Sequence, residues 1–172
     1  IPNEVELGFR IERMLLQDDE HNLWLVPEDG GVAILLQGLS NIRNLDADNV
    51  LQSNEITALT GNDKGQLYIA NGLGSIEIIS QLNGQPKLDS RSNFEHRKIH
   101  GLLPSSERLY AFTDSGLLSL KYLGGEGALE LLGKDKSVRF PKLWDFHCNA
   151  NGLFSFNTGG RIYRGSVENG FN

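Results

Sequence analysis

Leu67-Tyr68-Ile69-Ala70-Asn71-Gly72-Leu73-Gly74 is an apolar run that breaks into a turn and restarts on glycine, and the chain carries this phrase four times. Leu23-Trp24, Leu109-Tyr110 and Leu153-Phe154 repeat the Leu-aromatic pair at spacings of 44, 42 and 44 residues, with Gly31, Gly116 and Gly160 in the place of Gly74. Four units of about 43 residues account for the whole 172-residue chain. A fixed period of that length marks an array of supersecondary units, each burying its apolar faces against its neighbours.

Within each unit the same events follow in order. An Ile/Leu-x-x-apolar segment comes first, at Ile11 to Met14, Ile56 to Leu59, Ile99 to Leu102 and Leu143 to Phe146. Each is too short for a helix and runs into turn residues, which predicts a strand. The turns are 18–22, 61–65, 104–107 and 148–152; all but the Pro-Ser-Ser-Glu of 104–107 are rich in Asn, Asp or Gly, whose side-chain bonds or freedom at positive φ reverse a chain tightly. The Leu-aromatic strand is apolar throughout, as a strand covered on both faces should be. A second turn and a glycine-led third strand follow. The fourth strand is the least regular, with candidates at Asn41 to Leu45, Gln85 to Leu88 and Ala128 to Leu132, and only a weak Ser166-Val167-Glu168 in the last unit. The reading is an all-β propeller of four consecutive blades, units 9–50, 51–92, 93–136 and 137–172 of one region. The unreadable last strand predicts an incomplete final blade and a cut from a larger ring, with open faces available to further blades or to self-association.

Composition narrows the function. A formal net charge of -6, from 22 acidic and 16 basic residues without a block, predicts no nucleic-acid footprint, which needs a clustered basic face. The densest basic stretch, Arg91 to Lys98, reads as a solvated inter-blade loop. One cysteine, Cys148, cannot make an intrachain disulfide, there is no N-x-[ST] sequon, and no apolar run approaches 18 residues. The first residue, Ile1, follows no signal-like segment, as expected of a mature protein or a fragment.

Asn54-Glu55-Ile56-Thr57-Ala58-Leu59, then Asn62-Asp63-Lys64-Gly65-Gln66-Leu67-Tyr68-Ile69-Ala70-Asn71 and Gly74, resembles the two-component-regulator propeller repeat, N-x-[IV]-x-x-[IL]-x-x-D-x-x-G-x-L-W-I-x-T-x-x-G. The first unit is similar through Asp19 to Leu25 and Gly30-Gly31-Val32. The third and fourth depart from it, with Ser106-Glu107-Arg108 at the Asp-x-x-Gly turn and Phe154 in the place of Trp. The resemblance implies propellers of seven blades, often in tandem, in the periplasmic sensor regions of hybrid histidine kinases that recognise glycan breakdown products. A periplasmic or extracellular location follows from the same resemblance.

No linear pattern points to catalysis, a cofactor or a metal. His96 and His100 on a strand would lie roughly 13 Å apart, too far to share an ion. Asp46-Ala47-Asp48-Asn49 and Asp18-Asp19-Glu20 lack the rest of a calcium loop and read as turns. Gly72-Leu73-Gly74 leads to a strand where a dinucleotide loop would open a helix. Adjacent residues of a strand point to opposite faces, so Cys148 beside His147 reads as a buried or turn cysteine and not as half of a thiolate–imidazole pair. The chain therefore reads as a binding module, either a sensor for a glycan-like small molecule or a scaffold for a partner protein, including one within a secreted effector. A ligand is expected at the mouth formed by the second turns and inner-strand starts. Glu28, Asp29, Asn71, Asp114 and Asn157 are the expected polar contacts, His100 and Arg13 adjoin the axis, and Trp144 either stacks on the ligand or packs between blades.

Overall fold

The computed structural model describes residues 9–17, 21–35, 42–62, 64–82, 85–94, 98–105, 108–122, 129–135, 145–148, 153–158, 161–166 and 170–171. They form four antiparallel sheets of four strands, each a meander in chain order. The first sheet is β1 (Ile11–Gln17), β2 (Leu23–Pro27), β3 (Val32–Leu35) and β4 (Ile42–Leu45). The second is β5 (Ile56–Gly61), β6 (Leu67–Asn71), β7 (Ser75–Leu82) and β8 (Gln85–Asn93). The third is β9 (Ile99–Pro104), β10 (Arg108–Thr113), β11 (Gly116–Tyr122) and β12 (Leu129–Asp135). The fourth is β13 (Asp145–Cys148), β14 (Leu153–Thr158), β15 (Arg161–Ser166) and β16 (Gly170–Phe171).

The first strands of successive sheets meet, β1 with β5 and β5 with β9, so they are the inner strands of a propeller-like arrangement. Alternation along the middle strands then sends one set of side chains to each neighbour. In the second sheet Leu67, Ile69 and Ile79 join Trp24, Val26, Val32, Ile34 and Leu51 to fill the space toward the first sheet. Tyr68, Ala70, Ile76 and Ile78 pack with Ile99, Leu109, Ala111, Leu118 and Leu120 of the third. These layers make β6 buried on both faces, which is why its sequence shows no polar alternation.

The repeated aromatic holds one register position, opposite Ile34 for Trp24, Ile78 for Tyr68, Ser119 for Tyr110 and Gly165 for Phe154. Trp24 and Tyr68 are 3 % and 1 % exposed, but Tyr110, expected to be equally buried, is only half-buried. Its cross-strand partner is a serine where the first two units supply isoleucine, so the wall against which the ring could pack is smaller.

Several expectations need correction. The last sheet is not missing its fourth strand: Gly170 pairs with Ser166 and Phe171 with Gly165. Two residues, one of them glycine, offer no periodicity from which to read a strand. Ser166 itself belongs to β15, and Cys148, expected in a turn, is the last residue of β13, opposite Phe154. Outer strands β8 and β12 run further than their apolar residues indicate, because the ladder holds polar edge residues as well. Large hydrophobic side chains exposed among the described residues are Ile11, Leu73 and Leu131.

Three inner strands carry an extra residue at the same place. The ladder skips Glu12 between Ile11↔Pro27 and Arg13↔Val26, Thr57 between Ile56↔Asn71 and Ala58↔Ala70, and His100 between Ile99↔Thr113 and Gly101↔Phe112. A bulge twists a strand and re-aims its side chains, so its recurrence is a feature of the repeat. In the fourth sheet the ladder from Asp145↔Asn157 to Cys148↔Phe154 has no skip.

The connection from the first sheet into the second is built from acidic and amide side chains. The Asp46 carbonyl accepts the N–H groups of Asn49, Val50 and Leu51, and its carboxylate accepts that of Asp48 (3.0 Å). Asn54 Oδ1 accepts the Ala47 N–H at 2.7 Å. Asp46 to Asn49 is thus a turn, as expected of a run that lacks the rest of a calcium loop. Beyond it, Glu77 of β7 is 0 % exposed and takes the Gln52 N–H (2.9 Å) and Arg91 Nε (2.7 Å). A second Arg91 nitrogen lies 2.5 Å from the same carboxylate oxygen, and Arg91 also donates to the Val50 carbonyl at 3.0 Å. One buried charge pair therefore clamps the inter-sheet connection onto the second sheet.

Candidate functional site

The turns after β2, β6 and β10 lie on the same rim as the starts of β1, β5 and β9, and one hydrogen bond recurs to hold them there. The Glu28 N–H donates to the Arg10 carbonyl (2.9 Å), that of Gly72 to Glu55 (2.8 Å) and that of Asp114 to Lys98 (3.3 Å). In each unit the acceptor directly precedes the repeated isoleucine, Ile11, Ile56 or Ile99. The first sheet is joined to the second on this rim as well: the Gly31 N–H donates to the Asn54 carbonyl at 2.9 Å.

This rim presents Glu28, Asp29, Glu55 and Asp114 to solvent, beside the exposed Arg10 and Lys98. Leu73, at the tip of the β6–β7 turn, is 60 % exposed among them. Of the residues expected at the mouth, Glu28, Asp29 and Asp114 are thus exposed at the same end of their sheets. Asn71, expected with them, is 0 % exposed. Its amide oxygen accepts the N–H groups of Leu73 (3.0 Å) and Ser75 (3.3 Å), and its nitrogen reaches Ser75 Oγ (2.5 Å), so it shapes the turn from inside. Asn157 is in β14 opposite Asp145, and Arg13 is in β1 opposite Val26. Trp144 lies outside the described residues. Glu55 was not anticipated, although its place before Ile56 matches that of Arg10 and Lys98 and could have pointed to it.

His100 sits at the third inner-strand bulge and is half-buried. Burial, and then the nearby Lys98 charge, lowers its pKa from the ordinary 6.5, with Asp114 opposing. The folded state therefore prefers the neutral imidazole. The stability this group supplies is complete above pH 6.5 and is lost as the pH falls through its lowered folded value. Urea midpoints recorded between about pH 7.5 and 5 are expected to fall toward acid, and less steeply in a His100→Gln variant. An equal slope in both proteins would show that His100 does not contribute to it.

Among the described residues no group of three or more His, Cys, Asp or Glu side chains is placed to hold a metal ion, and no helix is long and apolar enough to cross a membrane. Neither a protein-family model nor a curated protein matches the chain. Solved structures do. The chain superposes over its whole length on 23 % of the extracellular domain of a protein assigned as a one-component system from B. thetaiotaomicron, with a TM-score of 0.65 and 16 % identity. It is also similar to the Cps50 (Swd1) β-propeller domain of Myceliophteria thermophila, at 14 % identity and TM-score 0.63, covering 93 % of this chain and 54 % of that one. A protein assigned as a 6-phosphogluconolactonase from Bacteroides uniformis matches 90 % of this chain and 54 % of its own, at 11 % identity and TM-score 0.63. The chain thus spans about a quarter of the first of these and about half of the other two. These likenesses show the fold, an all-β arrangement of antiparallel sheets of propeller type.

Proposed function

We propose that this chain is a non-catalytic, ligand-binding run of propeller blades, part of a larger ring in an extracellular or periplasmic bacterial signalling protein. A glycan-like small molecule is bound at the rim, with Glu28, Asp29 and Asp114 as hydrogen-bond acceptors for its hydroxyl groups. The observation that carries this reading is the recurring bond from each second turn to the residue before the inner strand of the same sheet, which holds three turns on one edge. Loops held on a rigid scaffold are where binding groups concentrate. Supporting it are the likeness to the extracellular domain from B. thetaiotaomicron and the small share of that longer chain which this one spans. The larger ring, the signalling role and the location belong to the proposal.

A second reading, a scaffold that docks a partner protein on the same rim, is favoured by Leu73, a large apolar side chain held out at a turn tip between acidic residues. Screening the chain against an oligosaccharide array, and titrating the strongest saccharide by calorimetry, separates the two. A triple variant Glu28→Gln, Asp29→Asn, Asp114→Asn is expected to bind that saccharide at least about 10-fold more weakly with its urea midpoint unchanged, since all three side chains are exposed. Saccharide binding that survives the triple variant would remove the rim from the proposal, and binding only to a protein would favour the scaffold.

A further inference from the structure

The inner-strand bulges leave two polar atoms without partners. Thr57 Oγ1 and His100 Nε2 are both shielded from solvent and have no hydrogen-bond partner. They occupy the same place in the repeat, as the extra residue of β5 and of β9, on inner strands that pack along one another. Of the other buried polar side chains, Asn71 pairs with Ser75, Glu77 with Arg91, and Thr113 with the Gly116 carbonyl at 2.7 Å, while Ser119 Oγ of β11 is also shielded and without a partner. A shielded donor or acceptor without a partner destabilises a fold, so two at one repeated position need a reason.

The residues themselves are only half-buried. Each therefore has an open side, and the polar atom is the part turned away from it. A turn about χ1 of Thr57, or a half-turn of the His100 ring, would re-aim that atom without breaking a hydrogen bond of its own. Side-chain rotations of this kind commonly accompany binding. Both groups are uncharged and can donate or accept, and the charges acting on His100, from Lys98 and Asp114, are opposite in sign. Such a pair is suited to hydroxyl groups on a molecule without net charge. We propose that Thr57 and His100 form a second contact row, one group per blade on the inner strands, that takes two hydroxyl groups of a neutral polyhydroxylated ligand. Glu12, the extra residue of β1, holds the corresponding register position. This inference rests on the ligand-binding reading and extends it inward from the rim.

The test follows the His100 imidazole signals by NMR while glucose, maltose or cellobiose is added to the intact chain, with Thr57→Val and His100→Leu as variants. At least one of these sugars is expected to shift the His100 signals saturably, and Thr57→Val to weaken that binding about 10-fold. Valine keeps the shape of threonine, so in the free protein Thr57→Val is expected to raise the melting temperature by roughly 2–4 °C as an unpaired hydroxyl is removed. No saturable shift with any of the three sugars at about 100-fold excess overturns the row. A sugar that binds parent, Thr57→Val and His100→Leu alike also overturns it, and leaves the rim proposal standing if the triple rim variant loses that binding. A lower melting temperature in Thr57→Val overturns it from the other side, because the hydroxyl would then be paired within the fold.

Discussion

Replacing Arg91 with methionine is expected to lower the unfolding free energy by about 3–5 kcal/mol, the cost of leaving one member of a buried ion pair uncompensated. Glu77 is 0 % exposed and meets the guanidinium in two contacts, at 2.5 and 2.7 Å. The Arg91 side chain is 32 % exposed, so the arginine remains partly hydrated while the carboxylate does not. Losing the partner therefore strands the group that water cannot reach. The double variant Glu77→Gln, Arg91→Met removes the stranded charge and keeps an acceptor for the Gln52 N–H, and it is expected to recover more than half of the loss. Urea unfolding of the two variants and the parent decides the matter. A single variant within about 1 kcal/mol of the parent would mean that the clamp on the inter-sheet connection contributes no more than a surface pair.

Gly31→Ala is the second large effect, expected at roughly 3–4 kcal/mol. Two costs combine at this position. Gly31 has φ of +75°, in the left-handed region, and a Cβ there would stand 2.6 Å from the Leu45 carbonyl oxygen. That oxygen belongs to the backbone at the end of β4, so it cannot swing aside as a flexible side chain would. Gly65 provides the control, because its φ is +73° and a Cβ would meet nothing within 4 Å. Gly65→Ala is expected to cost only the conformational part, about 1 kcal/mol. Equal losses in the two variants would show that backbone conformation alone, and not the close approach of β4, makes Gly31 a glycine.

These two sites differ in how far they could be read in advance. Gly31 and its counterparts Gly74 and Gly116 were marked by recurrence, and all three have positive φ at the second turn. The pairing of Glu77 with Arg91 and the Gln52 backbone had no signal, since the partners stand 14 and 25 positions away and in other elements. Arg91 even read as part of a solvated loop, because a basic residue in a polar edge strand looks the same whether or not a buried carboxylate lies behind it. The mouth residues divide in the same way. Glu28, Asp29 and Asp114 are exposed in turns that their composition identified. Asn71 has turn chemistry as well, yet its amide is spent on the backbone and on Ser75, a choice between solvent and backbone that residue type leaves open.

The sequence by itself determined the four-unit repeat, the order of strands within each unit and the burial of the Leu-aromatic strand in the first two units. Those features are local or periodic: turn chemistry acts over a few residues, and a strand covered on both faces must be apolar along its length. Tertiary structure alone decided the two-residue outer strand β16, the half-burial of Tyr110, the inner-strand bulges at Glu12, Thr57 and His100, and the ion pair that holds the inter-sheet connection on the second sheet. Each depends on which backbone or side chain from a distant part of the chain arrives opposite a given residue. A bulge in particular is a mismatch in count between two paired strands, and neither strand carries that mismatch alone.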